Sequence, residues 1–326
     1  VDLNVARHRY AQLWQRIGAS RESLGPLLRD WYASDIAWHG GQPFNSLRGT
    51  TAVHEKFWAP LLASFPDLER RDDIRMCGRF RDGEWLATTG HYFATFARDF
   101  IGIRATGGAV SLRFGEFARF AVDRVVESYL LIDWIDLMRQ ADQWPAVLPR
   151  SLGAADRAPG PATADGLSLE GAQAQDSERS LTLVEAMIAG LMQYDGRTLA
   201  SMGMRRFWQG SFMWYGPAGI GTARGLDGFE RCHQVPFLQA FPDRVGGDHK
   251  CRIAEGHYVA STGWPSVRAT HRAPYLGAPA TNQRISMRVM DFWRREGNLL
   301  AENWVFIDLP DLLLQMGVRL LPEAAS

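Results

Sequence analysis

The chain has 326 residues, 36 Lys+Arg against 36 Asp+Glu, and 46% hydrophobic residues. That length suits two domains, each able to bury a core. Zero net charge argues against a phosphate-binding surface and hence against nucleic acid, and no apolar run approaches the roughly 20 residues that span a bilayer.

Taken in chain order, Tyr10, Leu13, Trp14 and Ile17 recur at helical spacing and open the chain with an amphipathic helix. Val1 to Tyr10 carries charges throughout and no signal-peptide core, so nothing in it argues for export. A short helix follows over Leu24 to Tyr32, then an extended piece around Trp38. A third helix is expected from about Thr51 to Ser64, and Pro66 prevents its continuation. Three strands come next, roughly Glu84 to Phe96, Val110 to Val122 and Val125 to Asp133, and a last helix over Trp134 to Ala141. Asp133 reads as its N-cap. Leu152 to Asp176 is dominated by Ala, Gly, Pro, Ser and Asp with no apolar period, which reads as a linker.

The same series then repeats. Leu183, Met187, Ile188 and Leu191 give a helix, Thr198 to Trp208 a second, and Asp227 to Ala240 a third, stopped by Pro242. A last helix over Pro310 to Gly317 follows Asp308, again an N-cap residue. Trp38-His39-Gly40 and Trp214-Tyr215-Gly216, Arg48-Gly49 and Arg224-Gly225, Phe65-Pro66-Asp67 and Phe241-Pro242-Asp243 each stand 176 residues apart. Phe100-Ile101-Gly102 and Tyr275-Leu276-Gly277 stand 175 apart, as do Glu127 to Asp133 and Glu302 to Asp308. A collinear match of this length means one domain written twice. The expected boundaries are 1–146 for the first copy, 147–178 for a flexible linker and 179–322 for the second copy. Helices first and strands later is an α+β order. Cys77, Cys232 and Cys251 form no CxxC and no disulfide framework, and a cytoplasmic location fits them best.

These pieces, in this order, resemble the SnoaL-like branch of the nuclear-transport-factor-2-like superfamily. The family's closing Glu-x-Trp stands as Glu302-Asn303-Trp304, and as Glu127-Ser128-Tyr129 in the first copy. Its Thr-His before an aromatic-aliphatic-Gly turn stands as Thr270-His271, then Tyr275-Leu276-Gly277; the first copy has Phe96 in place of the histidine. The resemblance implies two tandem cone-shaped domains, each a strongly curved, mostly antiparallel sheet wrapped around a pocket and covered by about three helices. It implies cofactor-free acid/base chemistry of the polyketide-cyclase kind, although many members of the superfamily are not enzymes. The family's acid/base aspartate directly follows Glu-x-Trp, where this chain has Val305 and Leu130. The family's histidine partner falls where Asp291 and Glu116 stand.

Alternation along the strands gives those two residues weight. Leu112, Phe114, Glu116, Ala118 and Phe120 share one face, as do Met287, Val289, Asp291 and Trp293. A single carboxyl in an apolar row suits a general acid or base, and equally a structural carboxylate satisfied by Tyr or Trp donors. Candidate catalytic residues are therefore Asp291, His271 and Glu116. Candidate substrate contacts are Trp38, His39, Trp58, Trp214, Tyr215, His233, Trp264 and Asn303, and the second copy is the expected working one. The glycines of 219–225 are misplaced for a dinucleotide loop, and there is no HExxH and no Gly-x-Ser-x-Gly. Neither a metal nor a cofactor is expected.

Two functions stay open: a cyclase, isomerase or dehydratase acting on an apolar or aromatic molecule, and a non-catalytic binding or assembly protein. Tyr129 and Leu131, with Trp304 and Phe306, make apolar rows on the outer faces of the sheets. They lead to the expectation of an internal pseudo-dimer packed sheet to sheet, with a further homodimer as an extension of it.

Overall fold

The computed structural model describes residues 2–19, 24–149 and 158–322. The chain divides into two compact units, Val1–Pro145 with Arg319–Ser326, and Ala146–Val318. Each is a curved mixed sheet with a few helices, the α+β class expected from the order of elements.

In unit 1, helices α1 (Leu3–Ala19) and α2 (Leu24–Trp31) precede β1 (Tyr32–Gly40) and β2 (Ser46–Arg48). The third helix runs from Thr50–Val53 through a π-turn, His54–Trp58, into Ala59–Ser64. Then come β3 (Glu69–Phe80), β4 (Gly83–Thr95), β5 (Ala109–Ala121), β6 (Arg124–Ile132) and a last helix, Trp134–Gln140. The sheet order is β2-β1-β6-β5-β4-β3, antiparallel except where β1 runs parallel to β6. Strand β3 is absent from the sequence reading because Glu69, Arg70, Arg71, Asp72 and Asp73 leave no apolar alternation over its first half. Its inward charges neutralise one another, Arg70 Nε lying 2.7 Å from Asp72 Oδ1.

Unit 2 repeats this plan. Its opening helix is Ala174–Leu191. The expected second helix is reduced to two 3-10 turns, Leu199–Met202 and Met204–Arg206, because Gly203 sits between them at φ 64°. Next come β7 (Trp208–Tyr215), β8 (Thr222–Arg224) and a third helix built of Gly225–Phe229, the π-turn Glu230–Gln234 and Val235–Ala240. Strands β9 (Val245–Gly246), β10 (His249–Glu255), β11 (Tyr258–Thr270), β12 (Arg284–Glu296) and β13 (Leu299–Ile307) precede the last helix, Leu309–Gln315. The order is β10-β11-β12-β13-β7-β8, with β9 on β11 and β13 parallel to β7.

The repeated motifs have structural work. Asp67 accepts from Thr95 N at 2.6 Å and Thr95 Oγ1 at 2.7 Å; Asp243 accepts from Thr270 N at 2.7 Å and Oγ1 at 2.6 Å. The Phe-Pro-Asp of each copy thus pins the end of a long strand. Ile101 and Gly102, like Leu276 and Gly277, have positive φ and make the two-residue turns bridged by Phe100–Ile103 and Tyr275–Ala278. Asp133 and Asp308 cap the last helices by accepting from Asp136 N and Asp311 N, as expected.

Two expectations about the connections need correction. Residues 158–173 do not behave as a flexible linker: they strap the outer face of unit 2. Trp304 Nε1 donates to Pro159 O at 2.7 Å, and Ala162 N donates to the Glu302 carboxylate at 3.2 Å. Tyr258 OH donates to Asp165, and Ala158 and Leu169 are buried. Composition hid this because the strap is held through backbone groups and short polar side chains. It also removes, for unit 2, the ground on which sheet-to-sheet pairing was expected, since the Trp304 row is covered within the unit. The second correction concerns the tail. Residues 319–322, expected in the second copy, belong with unit 1, where Leu321 joins the core.

Candidate functional site

The inner faces of the two sheets carry equivalent positions with different contents. In unit 1 the space is filled. Glu116 on β5 is 2% exposed, receives Arg70 Nη1 at 2.7 Å and accepts from Tyr10 OH. Arg70 also donates to Thr88 Oγ1 at 2.7 Å and to Tyr92 OH at 3.0 Å. Its guanidinium lies within 4.1–5.5 Å of the ring centres of Phe114, Trp14, Tyr10 and Tyr92. Burial raises the Tyr10 hydroxyl well above its ordinary range, which keeps it a donor. Glu116 is therefore held as a structural carboxylate, with Arg70 and Tyr10 both donating to its Oε2. A cleft of about 620 Å³ borders this cluster, between Trp14, Asp67, Arg70 and Asp72; Arg70 there pairs with Asp72, and Asp67 is held by Thr95.

Trp38 and Trp58 belong to the same packed core. Trp38 lies 4.7 Å from Phe57, and Trp58 lies 5.0 Å from Trp14, between ring centres. His39 faces the other way, stacked at 4.7 Å on Tyr129 with Nδ1 2.9 Å from Ser46 Oγ. As substrate contacts these three are corrected: two are core and one is on the outer face.

Unit 2 replaces several of the filling side chains. At matched spacing along the opening helix, Tyr10 and Trp14 give way to Val184 and Ile188; on the third helix Phe57 and Trp58 become His233 and Gln234. On the central strand Phe114 becomes Val289 and Glu116 becomes Asp291. Asp291, Val289 and His233 keep accessible surface. Their unit 1 counterparts Glu116, Phe114 and Phe57 have at most 2%. Aromatic side chains have given way to smaller or more polar ones on the inward wall of unit 2, and three inward residues there are not fully buried.

Strand register assembles the polar part of that wall. Arg252 pairs with Ser261, Ser261 with Asp291 and Asp291 with Val305, so one face of the sheet carries a cation, a hydroxyl, a carboxyl and an apolar side chain in a row. Asn303, beside that row, donates from Nδ2 to Asp291 Oδ1 at 3.3 Å and to Phe292 O at 3.1 Å. Burial pushes the Asp291 carboxyl up to about 7, against the opposing pulls of Asn303 and Arg252. His233 stacks at 4.6 Å on Trp214, which pairs with Asn303 across the parallel strands. Burial lowers its imidazole to about 4, so it is neutral at pH 7.

Asp291, Asn303, His233 and Trp214 are thus brought together. His271, Tyr215 and Trp264 are not. His271 lies ten residues beyond Ser261, a path of roughly 30 Å along extended chain. There it is buried against Phe241, with Nδ1 3.2 Å from Thr281 Oγ1. It occupies the place of Phe96, which stacks on Phe65 in unit 1. Tyr215 is on the outer face with Trp304 and Glu302, and Trp264 is overlaid by Arg288 at 5.1 Å on that same side. The sequence reading missed Arg252, Ser261 and Arg70. The signal for the first two was available only through pairing, because β10 and β11 lie outside the strands whose alternation was read. Among the described residues, no group of three or more His, Cys, Asp or Glu is placed to hold a metal, and no helix is long and apolar enough to cross a membrane.

The family model described as SnoaL-like polyketide cyclase matches residues 4–141 and 198–316. Among solved structures, AclR of Streptomyces galilaeus is 24% identical, covering 45% of this chain and 87% of its own, with a TM-score of 0.36. IdmH of Streptomyces antibioticus is 23% identical over 44% of this chain and 99% of its own, with a TM-score of 0.33. A SnoaL-like polyketide cyclase of Agrobacterium tumefaciens is 16% identical over 41% and 96%, with a TM-score of 0.34. No curated protein matches the chain.

Proposed function

For a chain that belongs to the SnoaL-like polyketide cyclase family, we propose that unit 2 binds an apolar or aromatic small molecule inside its sheet and moves a proton on an enolisable carbon with Asp291, without a cofactor. The observation that carries this is the inward carboxyl of Asp291. It keeps accessible surface, titrates near neutrality and has Asn303 to orient it, while Glu116 in the same position of unit 1 is sealed by Arg70. A carboxyl near 7 is matched to proton transfer in both directions.

In the forward step the Asp291 carboxylate takes a proton from carbon next to a carbonyl. The C–H electron pair becomes a C=C bond, and the carbonyl oxygen becomes an enolate. The Ser261 hydroxyl, on the residue paired with Asp291 across the strands, is available to donate to that oxygen. The protonated carboxyl then returns its proton to carbon, or the enolate carbon attacks a second carbonyl to close a ring, and the alkoxide so formed takes the proton back from the Asp291 carboxyl. Neutral His233, stacked on Trp214, supplies an aromatic wall without adding charge.

Deuterium incorporation from D2O into 2-tetralone, followed by NMR, tests the reading. The full chain should accelerate exchange at the activated carbon; Asp291→Asn should lower it at least a hundredfold, and Glu116→Gln should leave it unchanged. Exchange at the buffer rate, or exchange indifferent to Asp291→Asn, sinks it. A second reading, a binding protein without turnover, is favoured by Val305 and Leu130 at the position of the family's acid/base aspartate. It would show as saturable binding with no exchange.

A further inference from the structure

We infer that Arg252 and Ser261 form an anion subsite beside Asp291, so that the molecule held in unit 2 carries a carboxylate on its apolar or aromatic body. The inference rests on the reading of unit 2 as the ligand-binding unit and names the substrate class for it. Arg252 stands two strands from Asp291 on the same face, a separation of roughly 10 Å between backbones, with the Ser261 hydroxyl between them.

The charge balance of this wall is incomplete. Arg252 Nε is buried and has no hydrogen-bond partner. The carboxylate on its guanidinium is Glu185, 3.4 Å from Nη1, and that glutamate side chain is 54% exposed, where solvent screens the pair. In unit 1 the register-equivalent arginine, Arg75, is closed by Asp72, whose Oδ2 accepts Nε at 2.9 Å and Nη2 at 2.7 Å. Where Asp72 stands, unit 2 has His249, opposite Gly263 as Asp72 is opposite Gly90. The second copy has therefore kept the inward cation and lost the buried carboxylate that saturates it.

The neighbouring groups do not make up the deficit. Burial raises the Asp291 carboxyl to about 7, which weakens it as a counter-charge, and burial holds His233 neutral. A partly buried guanidinium with an unpartnered Nε selects a charged acceptor with two oxygens in one plane, which a carboxylate offers and a ketone or ester carbonyl does not. Ser261 adds a donor on the side toward Asp291. A bound carboxylate would thus fix one end of the molecule on β10 and β11 and leave a carbon some two strand spacings away in front of Asp291.

The test compares 2-naphthoate with 2-naphthamide, equal in shape and different in charge, binding to the full chain by titration calorimetry. The acid should bind at least about tenfold more tightly, the scale of one charge-assisted hydrogen-bonded pair. Arg252→Met should remove that preference while leaving amide affinity within about twofold. Glu185→Gln, an exposed change that frees the guanidinium, should tighten the acid alone. Equal binding of acid and amide, or a preference that survives Arg252→Met, overturns the subsite and leaves the cavity reading standing. Failure of both probes to bind overturns the two together.

Discussion

Glu116 and Asp291 occupy one position of the repeated sheet and differ in what stands opposite them. Glu116 is closed between Arg70 and Tyr10, so Glu116→Gln leaves a buried guanidinium short of a counter-charge. The denaturant midpoint of the unit 1 transition should fall by the equivalent of about 3 kcal/mol. Asp291 has a folded-state value of about 7 against about 3.9 in an unfolded chain. Because the folded value is raised, its favourable contribution is fully present below pH 3.9 and is lost as pH rises through 7. Asp291→Asn should therefore stabilise unit 2 relative to the parent at pH 8.5, by up to about 4 kcal/mol, and not at pH 4. Equal midpoint shifts at both pH values would contradict this. The sequence showed that both carboxyls faced inward, through the alternation of their strands. It did not show that one was satisfied, because Arg70 is brought to Glu116 by a strand whose charged first half conceals its pattern.

The elements are legible to the extent that their periodicity is local. Helices ending in Phe-Pro-Asp and strands built on apolar alternation were readable within a residue or two. Strand β3 and the two 3-10 turns before β7 were not, since one depends on ion pairs such as Arg70 to Glu116 made across strands and the other on Gly203. The third helix of each unit contains a π-turn, His54–Trp58 and Glu230–Gln234, which nothing in the sequence pattern announced. In unit 2 that turn carries His233. A histidine held neutral has its folded value depressed, here to about 4, so stability falls as pH drops below about 6.5. His233→Phe, which restores the residue of unit 1 at this place, should abolish that acid sensitivity of the unit 2 transition and reduce the room for a ligand. Urea midpoints at pH 5 and pH 7 measure the first, and loss of 2-naphthamide binding the second. At the strand ends, Asp243→Ala removes two acceptor contacts from Thr270 and should cost about 1–2 kcal/mol in the same transition.

At the scale of the molecule, duplication was the clearest statement in the sequence, since the offsets of 175 and 176 persist through most of each copy. The connections were the least clear, because a segment rich in Ala, Gly and Pro looks alike whether it is free or laid across a sheet. Replacing residues 160–170 by a Gly-Ser segment of equal length should uncover Trp304 and Tyr258. Apolar dye binding and concentration-dependent association in the ultracentrifuge are the expected results; a monomer that binds no dye would mean that the strap covers nothing that matters. The tail makes a parallel case: Leu321→Ala should lower the unit 1 transition by about 2–5 kcal/mol, though the residue lies after the whole of unit 2. That placement has a consequence for the protein while it is being made. Domains fold as the chain emerges, N-terminal first, yet the first unit here waits for its last core residue until translation has passed through the second. The unit begun first is the one completed last, and a ribosome stalled anywhere in unit 2 holds a neighbour whose core still lacks Leu321.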